Sequence, residues 1–200
     1  MLKSPYYLDK LNRVAKVLAN KSGNLLDIGF GMGHLERILT EQKSKLNLFG
    51  IDFAPKSVSR VKKLYKGRFL TGKVQKIPFE KSLFDYVAML DVLEHIPEAE
   101  SKKVLDEINR VMKKGGTFII TVPVNEDLEK MNREGINLNH HLRAYNYKIL
   151  KSELKRSGIG IIKVSYIYAF PTLYKLKTYI ANLIPGIRKP SVMLVIAKKK

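Results

Sequence analysis

Three groups of residues have the types and spacing to do chemistry. Asp27-x-Gly29-x-Gly31-x-Gly33 follows a short apolar run, Asn24 to Ile28, and precedes a helical pattern, His34 to Thr40. Glycines between a strand and a helix let the backbone approach a ligand, and the helix start adds free N–H groups and partial positive charge. Such donors suit a carboxylate as well as a phosphate. Asp52 ends a second apolar run, Leu46 to Ile51, where its carboxylate can accept two hydrogen bonds from ribose hydroxyls. Asp91, Glu94 and His95 stand at i, i+3 and i+4, so a helical turn gathers them on one face. Glu94 or His95 is a candidate base or substrate clamp. Packing or capping beside Pro97 is the structural alternative for His95, and a divalent-metal site of mixed oxygen and nitrogen donors is a third reading; no metal is expected. His140 and His141 lie farther on beside Arg143 and Tyr145, at least one of the pair an ordinary solvated side chain.

The glycine turn fails the dinucleotide fingerprint. Counted from Gly29, the third glycine position falls on His34; counted from Gly31, it falls on Glu36. Asp52 serves a nicotinamide dinucleotide or an adenosyl ligand equally, so the glycine spacing is what discriminates.

Positioning these groups requires alternating strands and helices. Tyr6 to Asn20 has helical spacing through Leu8, Leu11, Val14 and Leu18. Val58, Val61, Leu64 and Tyr65 mark a helix after Pro55, and Arg68 to Leu70 a short strand. Phe84 to Leu90 is apolar almost throughout, as for a central parallel strand covered on both faces. Glu98 to Met112 is helical and closed by Gly115-Gly116; Thr117 to Val122, Ile159 to Tyr168 and Ser191 to Ala197 are strands, and Tyr147 to Ser157 a helix. The pattern predicts an α/β fold: a Rossmann-like, doubly wound, seven-stranded sheet, mostly parallel with the last strand antiparallel, and helices on both faces. A single domain over 1–200 is expected, with an N-terminal helix in 1–22, a cofactor-binding core in 24–122, a substrate loop in 123–146 and an inserted amphipathic helix in 171–184, for which the readings are a cap on the pocket, ordinary core packing or a contact with an anionic membrane surface.

Leu25-Leu26-Asp27-Ile28-Gly29-Phe30-Gly31-Met32-Gly33 resembles motif I of the class I S-adenosylmethionine-dependent methyltransferases. Further matches are Gly50-Ile51-Asp52-Phe53, Ile77-Pro78-Phe79 before Phe84-Asp85, Asp91-Val92-Leu93-Glu94-His95-Ile96 and Gly115-Gly116-Thr117, with weaker likeness through His141-Leu142-Arg143. In relatives a similar His-Leu-Arg stretch lies near the acceptor pocket, so the resemblance implies a base or clamp in the His140–His141 pair, with His141 the candidate. Within the class the chain looks like the small-molecule branch that includes ubiquinone and menaquinone biosynthesis methyltransferases. The resemblance implies S-adenosylmethionine as cofactor. It puts Asp27, Gly29, Gly31 and Gly33 around the methionine portion, Asp52 on the ribose, Phe53 on one adenine face, and Leu90 at the fourth strand's end beside the ligand. Where many relatives have Asp at the third strand's end, this chain has Gly72-Lys73-Val74. Lys73 has no side-chain acceptor, so a backbone carbonyl near Lys73 or Val74 is expected to take the adenine amino hydrogen.

Composition narrows the rest. The chain has 200 residues, 45% of them apolar, and its best apolar stretch, Ile159 to Phe170, is interrupted by Lys163 and too short to span a bilayer. Met1 to Tyr6 has no secretory pattern, so a cytoplasmic location is expected. Absence of cysteine excludes a thiolate nucleophile, a thiolate zinc site and disulfides. A net charge of +19, with eleven Lys/Arg against Glu153 alone from Lys151 onward, favours polyanions or simply solubility. The leading expectation is methyl transfer to a small, apolar or aromatic acceptor by in-line displacement. RNA is a less favoured acceptor, lacking an Asn-Pro-Pro-Tyr-type motif or an appended RNA-binding module; peripheral contact with an anionic membrane and a non-catalytic S-adenosylmethionine-binding protein are further alternatives.

Overall fold

The computed structural model describes residues 4–170, 172–184 and 186–200. The first residues of the expected N-terminal segment and Pro171, the first residue of the expected inserted helix, lie outside that range. The elements are α1 (Pro5–Leu18), β1 (Ser22–Ile28), α2 (His34–Glu41), β2 (Lys45–Asp52), α3 (Pro55–Leu64), β3 (Arg68–Thr71), β4 (Phe84–Leu90), α4 (Glu98–Val111), β5 (Met112–Pro123), α5 (Leu128–Arg133), α6 (Tyr147–Arg156), β6 (Ile159–Ile167), α7 (Tyr174–Leu183) and β7 (Val192–Lys199), with a 3₁₀ turn at Leu93–His95. They form one seven-stranded sheet in the order β3-β2-β1-β4-β5-β7-β6. β1 to β5 pair in parallel, and β7 runs antiparallel to both its neighbours.

Side chains of the inner strands alternate between two buried faces, as the twofold strand period requires. Leu26, Ile28, Val87, Met89, Phe118 and Ile120 pack with α4 and α6 through Val104, Leu105, Ile108, Leu150 and Leu154. Leu25, Ala88, Ile119 and Leu194 face the other way, onto Leu11, Val14 and Leu18 of α1 and Leu35 and Leu39 of α2. Each such aliphatic side chain contributes about 1.5–3 kcal/mol on burial, and Leu11, Val14 and Leu18 thereby fix the register that brings Lys10 over the strand ends. Strand order reverses between β1 and β4, which opens a crevice beyond their carboxyl ends, the usual ligand place in an open α/β sheet.

One local expectation is corrected. Gly115-Gly116 do not close a helix: α4 ends at Val111, Met112 turns extended, and both glycines sit inside β5, whose register with β4 shifts between Phe84 and Tyr86. Gly115 takes φ +73°, so the extra residues bulge the strand instead of capping a helix. The polar segment 123–146 contains α5, opened by Asp127 accepting from the Lys130 N–H at 3.1 Å, and is tied at its ends by a Val124–Tyr145 bridge.

Candidate active site

The glycine turn is built by hydrogen bonds that need its left-handed backbone. Gly29, Gly31 and Gly33 have φ of 73°, 53° and 74°, a region that costs other residues about 1–2 kcal/mol. The Gly29 N–H donates to the Ile51 carbonyl at 2.8 Å, and Gly33 to Phe30 at 3.0 Å. A Cβ on Gly29 would lie 2.5 Å from Val92 Cγ2, and one on Gly33 would lie 2.9 Å from Val61 and Tyr65. Gly31 differs: its Cβ would meet only the Gly29 carbonyl at 4.0 Å, because that side faces open space. Asp52, at the end of β2, braces the turn, with one oxygen accepting from Gly31 N and the other from Ala54 N, both at 2.8 Å.

The open space is a cavity of about 760 Å³, within the usual range for small-ligand sites. Gly29, Gly31, Asp52, Phe53, Lys73 and Val74 line it on one side and Asp91, Val92, His95 and Asn139 on the other. Phe53 is 81% exposed, an apolar ring with one face free for a ligand.

Beneath the turn, Asp27 and Glu36 form a buried carboxyl pair in hydrogen-bond contact. Burial and then the neighbouring Glu36 push the Asp27 carboxyl well above the usual range, and burial raises Glu36 to about 7. Two carboxyls so close in a dry site hold a proton between them.

The other wall is assembled from β4's end and the 123–146 segment. Asp91 has a left-handed φ of 54°, uncommon for a non-glycine residue and frequent at functional sites. Lys10, itself 2% exposed, forms an ion pair with Asp91, and Thr121 Oγ1 donates to its other oxygen at 2.7 Å. Glu94, in the 3₁₀ turn, is fully buried and neither carboxylate oxygen has a hydrogen-bond partner. Burial, then the Asp91 charge, push it up to about 8. Its backbone carbonyl accepts from Leu142 N at 2.9 Å and Arg143 N at 3.2 Å, which docks His141 alongside. The His95 and His141 rings meet edge-on with centroids 5.0 Å apart. Burial, then His141, lower the His95 imidazole below its ordinary value. Glu126 holds His141 Nδ1 at 2.8 and 2.9 Å.

Residues 26–120 match a family model described as a methyltransferase domain. The chain is 30% identical over 135 residues to sterol 4-C-methyltransferase strm-1 of Caenorhabditis elegans, covering 64% of this chain and 39% of that protein. It is 29% identical over 109 residues to the ubiquinone/menaquinone biosynthesis C-methyltransferase UbiE of Desulfotalea psychrophila, covering 53% and 44%. The fold is also that of phosphoethanolamine N-methyltransferase 2 of Haemonchus contortus, at TM-score 0.72 and 18% identity over 96% of this chain and 52% of that one. Residues 26–120 of this chain are a methyltransferase domain of the class I S-adenosylmethionine-dependent kind. The chain spans well under two thirds of either curated relative.

The methyltransferase domain brings most of the residues expected from sequence to one place. Gly29, Gly31, Asp52, Phe53, Lys73, Val74 and His95 line the cavity; Glu94 and His141 stand directly behind His95. Asp27 and Gly33 lie under the turn and shape it. Leu90 does not line this cavity and packs against the cluster under α1 and α2, because the last strand residue before Asp91 points to that face. The Lys73 carbonyl already accepts from Lys76 N at 3.1 Å. The unforeseen cavity residue at this edge is Gln75, whose side-chain N–H donates to Glu100 and so orients the carboxamide. Lys10, Glu36 and Glu126 were also missed, because each meets its partner through the fold and not through a fixed spacing. None of the described residues of α7 lines the cavity. That helix instead rests on α1, with Tyr174 Oη donating to Asp9 at 2.8 Å. Among the described residues no helix is long and apolar enough to cross a membrane.

Proposed function

We propose that the domain transfers a methyl group from S-adenosylmethionine to a small, apolar or aromatic acceptor. The observation that carries this reading is the single cavity with a glycine turn and Asp52 at one end and the Asp91–His95 edge at the other. Bound S-adenosylmethionine supplies an electrophilic methyl group on a sulfonium, open to in-line attack. The turn around Gly31 accommodates the methionine portion, the outward lone pairs of Asp52 accept the ribose hydroxyls, and Phe53 covers adenine. The Gln75 carboxamide oxygen, with its nitrogen committed to Glu100, is the acceptor that Lys73 lacks for the adenine amino group. Glu94, His95 and His141 handle the acceptor, orienting it and drawing off its proton. The test is label transfer from methyl-labelled S-adenosylmethionine into fractionated cell extract. Label in a solvent-extractable fraction supports the reading; label in RNA with affinity falling steeply with salt would replace it with the RNA reading, and cofactor binding without any transfer would replace it with the non-catalytic one.

Where the acceptor is met is suggested by α7. Its buried residues are the small Thr178 and Ala181, while Leu176, Tyr179 and Leu183, at helical spacing, are 56%, 63% and 62% exposed on the opposite side. Ile184 and Ile187 extend this apolar edge, and Lys175, Arg188 and Lys189 flank it without one acidic residue between Glu153 and the end. An outward apolar stripe bordered by cations suits an anionic lipid surface, where both terms add, and two such faces repel each other as a dimer. Co-sedimentation with vesicles rich in phosphatidylglycerol, lost with neutral vesicles and in Leu176→Asp/Leu183→Asp, is the expected result. Equal binding to neutral vesicles, or a stable dimer that hides the stripe, would overturn it.

A further inference from the structure

We propose that Glu94, His95 and His141 bind one divalent transition-metal ion at the acceptor end of the cavity. Each offers a ligand atom, and those atoms lie within 4.8 Å of one another. Proximity alone would be weak ground, but three independent features of the surroundings point the same way. First, the Glu94 carboxylate is fully buried with both oxygens unpartnered, although buried polar groups are almost always satisfied. A cation bound between it and the imidazoles is the partner this set lacks. Lys10 does not play that part, being committed to Asp91.

Second, the His141 imidazole is held from behind. Glu126 binds its Nδ1 at 2.8 Å, which leaves Nε2 for the cluster. A carboxylate partner of this kind orients a metal-ligating histidine and sets its tautomer. Third, the chain accepts left-handed backbone at two non-glycine residues that flank the cluster, Asp91 at φ 54° and His140 at φ 53°. Two imidazoles and one carboxylate suit borderline first-row ions such as Mn²⁺, Fe²⁺, Co²⁺ or Zn²⁺, whereas Mg²⁺ and Ca²⁺ favour all-oxygen sets. Sequence spacing alone pointed away from a metal because Glu126 and His141 are brought in only by the fold.

Three protein ligands leave coordination positions open toward the cavity that His95 lines. Resting on the methyl-transfer reading above, the ion's role is to hold a hydroxyl oxygen of the acceptor and ease its ionisation. With the ion bound, the three side chains act on the acceptor through it and do not take the proton themselves: the hydroxyl proton passes to water, the oxygen pair forms the bond to the methyl carbon, and the carbon–sulfur pair returns to sulfur. The products are a methyl ether, S-adenosylhomocysteine and one proton. The acceptor class is therefore a phenol or a related hydroxylated ring.

The experiment titrates the untagged, chelator-stripped chain with Mn²⁺, followed by loss of the free-ion electron paramagnetic resonance signal, and with Co²⁺, followed by visible absorption. One ion per chain is expected, abolished in His95→Ala and His141→Ala and weakened about 10–100-fold in Glu126→Gln, with circular dichroism confirming the fold. Because His95 is exposed, His95→Ala keeps the test decisive if Glu94→Gln or His141→Ala does not fold. No stoichiometric binding by the parent chain, or binding unchanged in His95→Ala, overturns the site. Metal binding is read without cofactor or acceptor, so its failure is distinct from failure of methyl transfer. Once an acceptor is in hand, transfer at full rate by the stripped chain overturns the ion's catalytic role.

Discussion

Replacing Glu36 by glutamine tests the buried pair under the glycine turn. Glu36 is 1% exposed, and burial raises its carboxyl from an ordinary 4.5 to about 7. Below the ordinary value both folded and unfolded chains carry the proton, so this group adds no pH dependence there. Between about 4.5 and 7 the unfolded carboxyl is ionised while the folded one is still protonated, so unfolding releases a proton and stability falls as pH rises. Above the folded value the loss is complete. At about 1.4 kcal/mol per pH unit the full loss is about 3 kcal/mol, and proton sharing with Asp27 makes this an upper figure. Glu36→Gln removes the titration and gives Asp27 a permanent N–H donor. Urea unfolding at pH 4.5 and pH 8 should find the variant near the parent at the lower pH and about 1–3 kcal/mol more stable at the higher. For a chain of this size that corresponds to a rise in Tm of roughly 2–4 °C per kcal/mol. A variant less stable than the parent at pH 8, or one with the same pH slope, would refute the buried-pair reasoning.

Asp52→Ala should reduce S-adenosylmethionine affinity at least about tenfold by calorimetry, since one charged acceptor contact is typically worth 1.5–3 kcal/mol and the brace on Gly31 N and Ala54 N goes with it. Two glycine variants should separate. Gly31→Ala should cost only about 1–2 kcal/mol of stability yet abolish cofactor binding, whereas Gly29→Ala should destabilise by a further 1–3 kcal/mol, because its Cβ meets Val92 at 2.5 Å. Equal unfolding midpoints would contradict the assignment of Gly31 to the cavity side. Lys10→Met should lower stability by about 1–3 kcal/mol, less than for a fully buried pair because Asp91 is 33% exposed; an unchanged urea midpoint would contradict the ion pair.

The architecture was legible because it rests on local periodicity. Leu25 against Leu26, and Val87 and Met89 against Ala88, state in sequence that two faces are buried, and that is enough for a doubly wound sheet. The cofactor end was legible for a similar reason. Its glycines, Asp52 and Phe53 are each fixed by the end of one strand, so their placement at the cavity follows from chain position and conformation. The errors fall where position within an element decides. Gly115-Gly116 follow a helical pattern closely enough to pass for its cap, but the helix stops at Val111 and the pair bulges a strand. Leu90 precedes the cavity-lining Asp91 by one residue, and strand alternation turns it onto the cluster under α1 and α2.

The acceptor end obeys a different logic. Asp91, Glu94 and His95 are visible as a cluster in sequence, but what they can do depends on partners supplied from elsewhere. Lys10 neutralises Asp91 from α1, leaving Glu94 as the unsatisfied carboxylate. Arg143 and Tyr145, bound to Glu153 of α6, anchor the strand-like stretch whose N–H groups dock on the Glu94 carbonyl. Only after that docking does His141 reach His95, and only then does Glu126 gain a function by fixing its ring. None of these pairings has a period or a fixed spacing, because each is set by the closure of a tertiary loop. The same side chains exposed on an isolated helical turn would be an ordinary polar face; enclosed beside a cavity, with one carboxylate left without a partner, they are the part of the molecule where the acceptor's chemistry has to be decided.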